Sequence, residues 1–112
     1  MPGKFVLALA KNGEFRFNLK AANSQTILTS ETYRAKKSAL NGIESVRTNG
    51  VMEERFERRI AKDGRPYFVL KASNGQEIGR SQMYASNATM ENGIASVKKN
   101  SADAALVDLT VE

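Results

Sequence analysis

The chain is written twice. Shifted by 51 positions, FVLALAKNGEFRFNLKAANSQTILTSETY from Phe5 lies over FERRIAKDGRPYFVLKASNGQEIGRSQMY from Phe56 without a gap, and NGIESVRTN then lies over NGIASVKKN. Nineteen of the 46 aligned pairs between Lys4–Asn49 and Arg55–Asn100 are identical. A chain of 112 residues suits one domain, and half of it alone would bury only a marginal core. The duplication therefore predicts a single domain over 1–112, in which repeats 4–50 and 55–101 share one core and 102–112 closes the fold.

Within a repeat the pattern begins at period two. Phe5, Leu7 and Leu9 alternate against Val6, Ala8 and Ala10, and Phe15, Phe17 and Leu19 against Arg16, Asn18 and Lys20. Such alternation with aromatics marks half-buried strands. Directly opposed residues of an antiparallel pair share a face. Setting Phe5 opposite Leu19, Leu7 opposite Phe17 and Leu9 opposite Phe15 centres a three-residue turn on Asn12. Leu19 opposite Ile27 centres the next turn on Asn23. Three-residue hairpins favour glycine at a closing left-handed position, supplied by Gly13, Gly64 and Gly75, with Ser24 the exception.

After Tyr33 and Tyr84 the period changes. Lys36, Ala39, Leu40, Ile43 and Val46 follow helical spacing, as do Met90, Ile94 and Val97. Ser86 can cap the second helix, whereas Ala35 offers the first no cap. Asn49 and Asn100 fall where asparagine can take a left-handed C-terminal position. Each repeat thus reads β-β-β-α. Val51–Ala61 is expected to link the halves as extended chain, part of it the first strand of the second repeat, and Ala105–Val111 to form a last strand that joins a sheet edge. The expected architecture is α+β: seven or eight mainly antiparallel strands, two helices on one face, and pseudo-twofold symmetry.

The residues Gly13, Phe17, Leu19, Lys20, Ala21, Asn23, Gln25 and Ile27, then Ser30, Tyr33 and Asn41 to Val46, form a pattern that recurs from Gly64 to Val97. It resembles the YegP-like family of small bacterial proteins over nearly the whole chain. The resemblance implies two β(3)-α-β units forming one sheet with their C-terminal strands exchanged. It implies no activity, cofactor or catalytic residue.

Composition narrows function by exclusion. The chain has no cysteine, histidine or tryptophan. Disulfides, thiol nucleophiles and thiolate metal sites are therefore out, as are the usual neutral-pH general base and the commonest transition-metal ligand. No cofactor, metal site or catalytic residue is expected. No apolar run approaches a membrane span and the start MPGKF is unlike a signal peptide, so a cytoplasmic location is expected. The only carboxylate cluster, Glu53, Glu54 and Glu57, is not duplicated and has no acid–base partner that sequence identifies. The expectation is a non-catalytic structural or binding module, against an enzyme using carboxylate, lysine or tyrosine chemistry.

Two surfaces are candidates for binding. Net charge +5 favours nucleic acid or an acidic protein as partner. Arg16, Lys20, Tyr67 and Lys71 lie on the sheet face away from the helices, where cations beside an aromatic ring suit single-stranded nucleic acid; the first reading of them is a solvated basic sheet, and a binding surface is the second. Asn41, Ser45, Asn92 and Ser96 point away from the helical core face and match across the duplication. The first reading is a helix–helix contact across the pseudo-dyad, or chance; the alternative is a doubled polar surface for a ligand or for self-association. Glycine inside a helix costs about 1 kcal/mol against alanine, so Gly42 and Gly93 suggest close approach to the sheet or a partner. Tyr33 and Tyr84 are expected to hydrogen-bond through their hydroxyls, and Gln25 and Gln76 to satisfy backbone groups near a turn.

Overall fold

The computed structural model describes residues 3–110. Strands β1 (Lys4–Leu9), β2 (Phe15–Lys20) and β3 (Thr26–Ser30) precede helix α1 (Lys36–Asn49). Strands β4 (Phe56–Ile60), β5 (Pro66–Lys71) and β6 (Glu77–Arg80) precede helix α2 (Asn87–Asn100), and β7 (Ala105–Asp108) ends the fold. One seven-stranded sheet runs β4-β5-β6-β3-β2-β1-β7, antiparallel throughout except where β7 lies parallel to β1. The strand after each helix crosses to the outer edge of the other half: β4 beyond β5, and β7 beyond β1.

The halves meet between β3 and β6, where Thr29 is paired with Arg80. Those two residues are equivalents in the repeat, so the pseudo-dyad passes through that pair. The row Asn18, Thr29, Arg80, Val69 therefore crosses the sheet at the dyad. Leu28 and Gly79 are also equivalents. A Cβ on Gly79 would lie 2.8 Å from the Thr29 carbonyl oxygen and 3.1 Å from Leu28 Cγ. The crowded centre accepts one leucine, and its counterpart must be glycine.

The first hairpin has the expected register, Phe5 to Leu19, Leu7 to Phe17 and Leu9 to Phe15. Gly13, Gly64 and Gly75 have φ of 83°, 89° and 84°, and Ser24 has 69°. The second hairpin departs from expectation. Its turn is centred on Asn23, but a bulge shifts the register between Leu19 and Lys20, so that Leu19 faces Leu28 rather than Ile27. A bulge sets two residues against one, which lets the adjacent Ile27 and Leu28 both be buried. The second repeat repeats the shift between Leu70 and Lys71.

Both helices cover the same face, where Phe5, Leu7, Phe17, Leu19, Phe68 and Leu70 form one core with Ile43, Val46, Ile94 and Val97. Ser86 caps α2 and exchanges hydrogen bonds with Thr89, while Ala35 gives α1 no side-chain cap. Asn49 and Asn100 are not left-handed. They are the last helical residues, and Gly50 and Ser101 after them stay right-handed. Their buried amides do the satisfying instead. Each donates back to the carbonyl of Ser45 or Ser96, and their side-chain oxygens accept from Arg55 Nε and the Gly3 N–H.

Two connections are less extended than expected. Glu53–Arg55 forms a 3-10 turn before β4, and β7 stops at Asp108, where Thr110 donates two hydrogen bonds to the Asp108 carboxylate and bends the chain. Val111, placed in that strand by its pattern, lies outside the described residues. The β4 edge is protected by charge. Where β1 reads FVLAL, the equivalent β4 reads FERRI, and Glu57, Arg58 and Arg59 are all ion-paired. Charged side chains on an edge disfavour pairing with another chain.

Candidate functional site

Ser30 and Ser81 are buried and structural: each hydroxyl accepts the Phe17 or Phe68 N–H and donates to the carbonyl of Glu31 or Gln82. Asn23 and Asn74 accept the N–H of Gln25 and Gln76 two residues on and close the turns. These matched polar residues are accounted for by folding. Gln25/Gln76, Asn41/Asn92 and Tyr33/Tyr84 are not, because their side chains form no hydrogen bond among the described residues.

The structure brings those three pairs together. One cleft of about 430 Å³ is lined by Ala21, Asn23, Gln25 and Ile27 of the first repeat and by Tyr84, Thr89, Asn92, Gly93 and Ser96 of the second, with Gln82, Met83 and Ala85. Another of about 210 Å³ is lined by Ala72, Gln76, Glu77 and Ile78 of the second repeat and by Tyr33, Ser38, Asn41, Gly42 and Ser45 of the first. The 51-residue shift converts one cleft into the other. Of the nine residues lining the second, seven have an identical counterpart lining the first.

Each cleft is shaped by a glycine. A Cβ on Gly42 would sit 2.6 Å from the Tyr33 hydroxyl and 2.9 Å from Phe17, and one on Gly93 would sit 2.2 Å from the Tyr84 hydroxyl. The helix–sheet approach expected of these glycines is the one seen. It holds Tyr33 stacked on Phe17 and Tyr84 on Phe68, with ring centroids 6.3 Å apart in both. The hydroxyls find no internal partner, contrary to expectation, because they reach the clefts. Burial pushes both phenols up in pKa, and Glu31 adds to the shift at Tyr33. At neutral pH they are protonated donors. Ser45 and Ser96 accept from Asn49 and Asn100, while Asn41 and Asn92 are exposed. These helix faces oppose the other repeat's hairpin, not the other helix. Gln25 and Gln76 are likewise exposed rather than bonded to backbone.

The outer sheet face is divided. Arg16 and Lys20 lie on β2, Tyr67 and Lys71 on β5, with β3 and β6 between. The register sets Lys20 level with Tyr67, and Arg16 level with Lys71. In the second half the cations are neutralised: Lys71 reaches Glu57 at 2.8 Å, Arg59 is paired with Glu57 and Glu77, and Arg80 with Glu77. The carboxyl of Glu57 is held below its ordinary range by hydrogen bonds from Lys71 and Arg59. Val69, on the same face, is fully buried between Glu57 and Arg80, whose stems can cover it. Glu53 is similarly held low by Lys98 and Arg58. Among the described residues, no cluster of three or more carboxylates is placed to hold a metal ion, and no helix is long and apolar enough to cross a membrane.

Fold and clefts define a class: a two-repeat α+β protein closed about a pseudo-dyad, with each cleft assembled from both repeats. The chain belongs to the family described as Domain of unknown function (DUF1508), whose model matches it twice, at residues 10–57 and 61–108. It is 59% identical to a UPF0339 protein of Pasteurella multocida over 98% of this chain and 96% of that one. It is 52% identical to the UPF0339 protein YegP of Escherichia coli strain K12, over 98% of this chain and all of that one. The solution NMR structure of E. coli YegP matches with a TM-score of 0.93, at 51% identity, over 100% of this chain and 97% of that one. A UPF0339 protein of Shewanella oneidensis, also solved by NMR, gives 0.91 at 50% identity, over 97% of this chain and 92% of that one. The family is one of uncharacterised proteins.

Proposed function

We propose that the protein is a non-catalytic binding module that presents two pseudo-equivalent clefts to uncharged ligands bearing amides or hydroxyls. One observation carries this reading: the matched uncharged polar residues whose side chains find no hydrogen bond within the fold, Gln25/Gln76, Asn41/Asn92 and Tyr33/Tyr84, converge in the clefts. Amide and phenol groups around an isoleucine offer both donors and acceptors beside an apolar surface, the usual make-up of a small-ligand site. Neutral tyrosines and carboxylates held in surface ion pairs support binding over acid–base chemistry.

The test is a titration of the 15N-labelled chain with N-acetylglucosamine and, separately, with a capped alanine dipeptide. Saturable shifts at Tyr33, Asn41 and Gln76 and at Tyr84, Asn92 and Gln25 are expected, and Asn41→Ala with Asn92→Ala should abolish them. Shifts in neither cleft with either compound refute the reading.

Nucleic-acid binding on the outer face is a second reading, favoured by Arg16 and Lys20, which have no acidic partner among the described residues. It extends to Tyr67, but to Lys71 only if the Glu57 pair opens. Oligo(U) RNA binding that falls steeply with salt would support it, and salt-insensitive binding would count against it.

A further inference from the structure

The repeat supplies an internal control for the outer face beside β7. In the second half, Lys71 is held by the Glu57 carboxylate from the neighbouring strand at 2.8 Å. In the first half the same two places hold Lys20 and Val6. The lysine is kept and its carboxylate is replaced by methyl groups. Lys20 instead stands directly across from Lys4, and like charges so opposed are destabilising. Neither lysine has an acidic partner among the described residues.

The two lysines border a hollow of about 500 Å³ whose largest apolar side chains are Val6, Val107 and Leu109, with Ala21 and Ala22 beside them. That volume falls within the range of small-ligand sites, roughly 300–1,000 Å³. Val107 comes from β7; the second half has no strand in that place, because β4 ends the sheet. Leu109 is 63% exposed, an apolar side chain with little cover of its own.

We propose that this hollow binds an aliphatic carboxylate. The chain lies on Val6, Val107 and Leu109, and the carboxylate sits between Lys4 and Lys20, where Glu57 sits beside Lys71 in the other half. The charge-assisted bonds to a carboxylate relieve the opposed cations, and the hydrocarbon covers surface otherwise left to water. The site is on the face opposite the helices and shares only Ala21 with the clefts.

The experiment titrates octanoate, below its micelle threshold, into the 15N-labelled full chain. Acetate and octanol serve as the headgroup and tail alone. Saturable shifts are expected at Lys4, Val6, Lys20, Val107 and Leu109 with octanoate, and none with acetate or octanol at the same concentrations. Val6→Glu recreates the internal carboxylate of the second half and is expected to weaken octanoate binding at least tenfold. Lys4→Gln with Lys20→Gln, two surface changes, is expected to do the same and decides the matter if Val6→Glu fails to fold. The proposal is overturned by absence of saturable shifts in the unaltered chain, by equal binding of acetate, or by octanoate affinity unchanged in the double lysine variant.

Discussion

Ser30→Ala tests whether the duplicated serines hold the sheet together. The Ser30 hydroxyl is 2.9 Å from the Phe17 N–H, which it accepts, and 2.7 Å from the Glu31 carbonyl, to which it donates. Ser30 is 4% exposed and Phe17 fully buried, so water cannot readily replace the hydroxyl. Leaving a buried N–H without a partner costs about 1–3 kcal/mol. For a chain of 112 residues, the unfolding entropy makes each kcal/mol worth about 4 °C, so Tm should fall by roughly 4–12 °C. Ser81→Ala should cost a similar amount, because its bonds to Phe68 and Gln82 are 3.0 and 2.8 Å. Urea unfolding followed by circular dichroism gives the free energy, and amide exchange at Phe17 and Phe68 gives the local effect. The exposed Ser38→Ala is the control, expected within about 0.5 kcal/mol. A loss below that figure at both Ser30 and Ser81, with no faster exchange at either phenylalanine, would falsify the reasoning.

Gly79→Ala should destabilise by about 1–3 kcal/mol in the same urea assay, since its Cβ would meet the Thr29 backbone, which cannot swing aside. A neutral or stabilising result would mean that the centre of the sheet is not close-packed. Tyr33→Phe and Tyr84→Phe should each change stability by less than about 0.5 kcal/mol, because their hydroxyls hold nothing within the fold; larger losses would expose an internal role. Lys36, at 2.6 Å, and then Thr110 lower the Asp108 carboxyl to about 2. A depressed carboxyl pKa stabilises the fold above the unfolded value and loses that effect as pH falls through the folded one. Asp108→Asn should therefore be less stable than the unaltered chain at neutral pH. The two stability curves should converge between about pH 4 and pH 2, and parallel curves would sink the assignment.

The hairpin registers were legible because alternation and turn chemistry agree over Phe5–Leu19, where slipping by one residue would expose every apolar side chain. The bulge at Ile27–Leu28 was not, because two adjacent apolar residues look the same whether one or both face inward. Asn49 and Asn100 misled for a related reason: asparagine can end a helix by its backbone or by its side chain, and only the surroundings decide. The candidate residues Asn41, Ser45, Asn92 and Ser96 were visible through duplication, whereas their partners were hidden. Asn41 shares a cleft with Gln76 of the other repeat, 35 positions away, which reading one repeat at a time does not reveal. Asking which matched residues lack a folding role would have singled out Gln25 and Gln76. Burial of Val69 was out of reach, since it depends on the long side chains of its cross-strand neighbours Glu57 and Arg80.

Because the dyad runs through Thr29 and Arg80, the two copies are related by rotation rather than by translation. A repeat stacked by translation can gain or lose units and stay the same kind of object. A rotational pair is complete at two, and a third unit would have no edge equivalent to the ones already used. The same geometry explains why the halves are joined in one polypeptide. Two separate identical chains would have to bring the same residue to the axis from both sides, leucine against leucine or glycine against glycine. Fusion lifts that constraint, and setting Leu28 against Gly79 is a solution closed to a pair of identical chains.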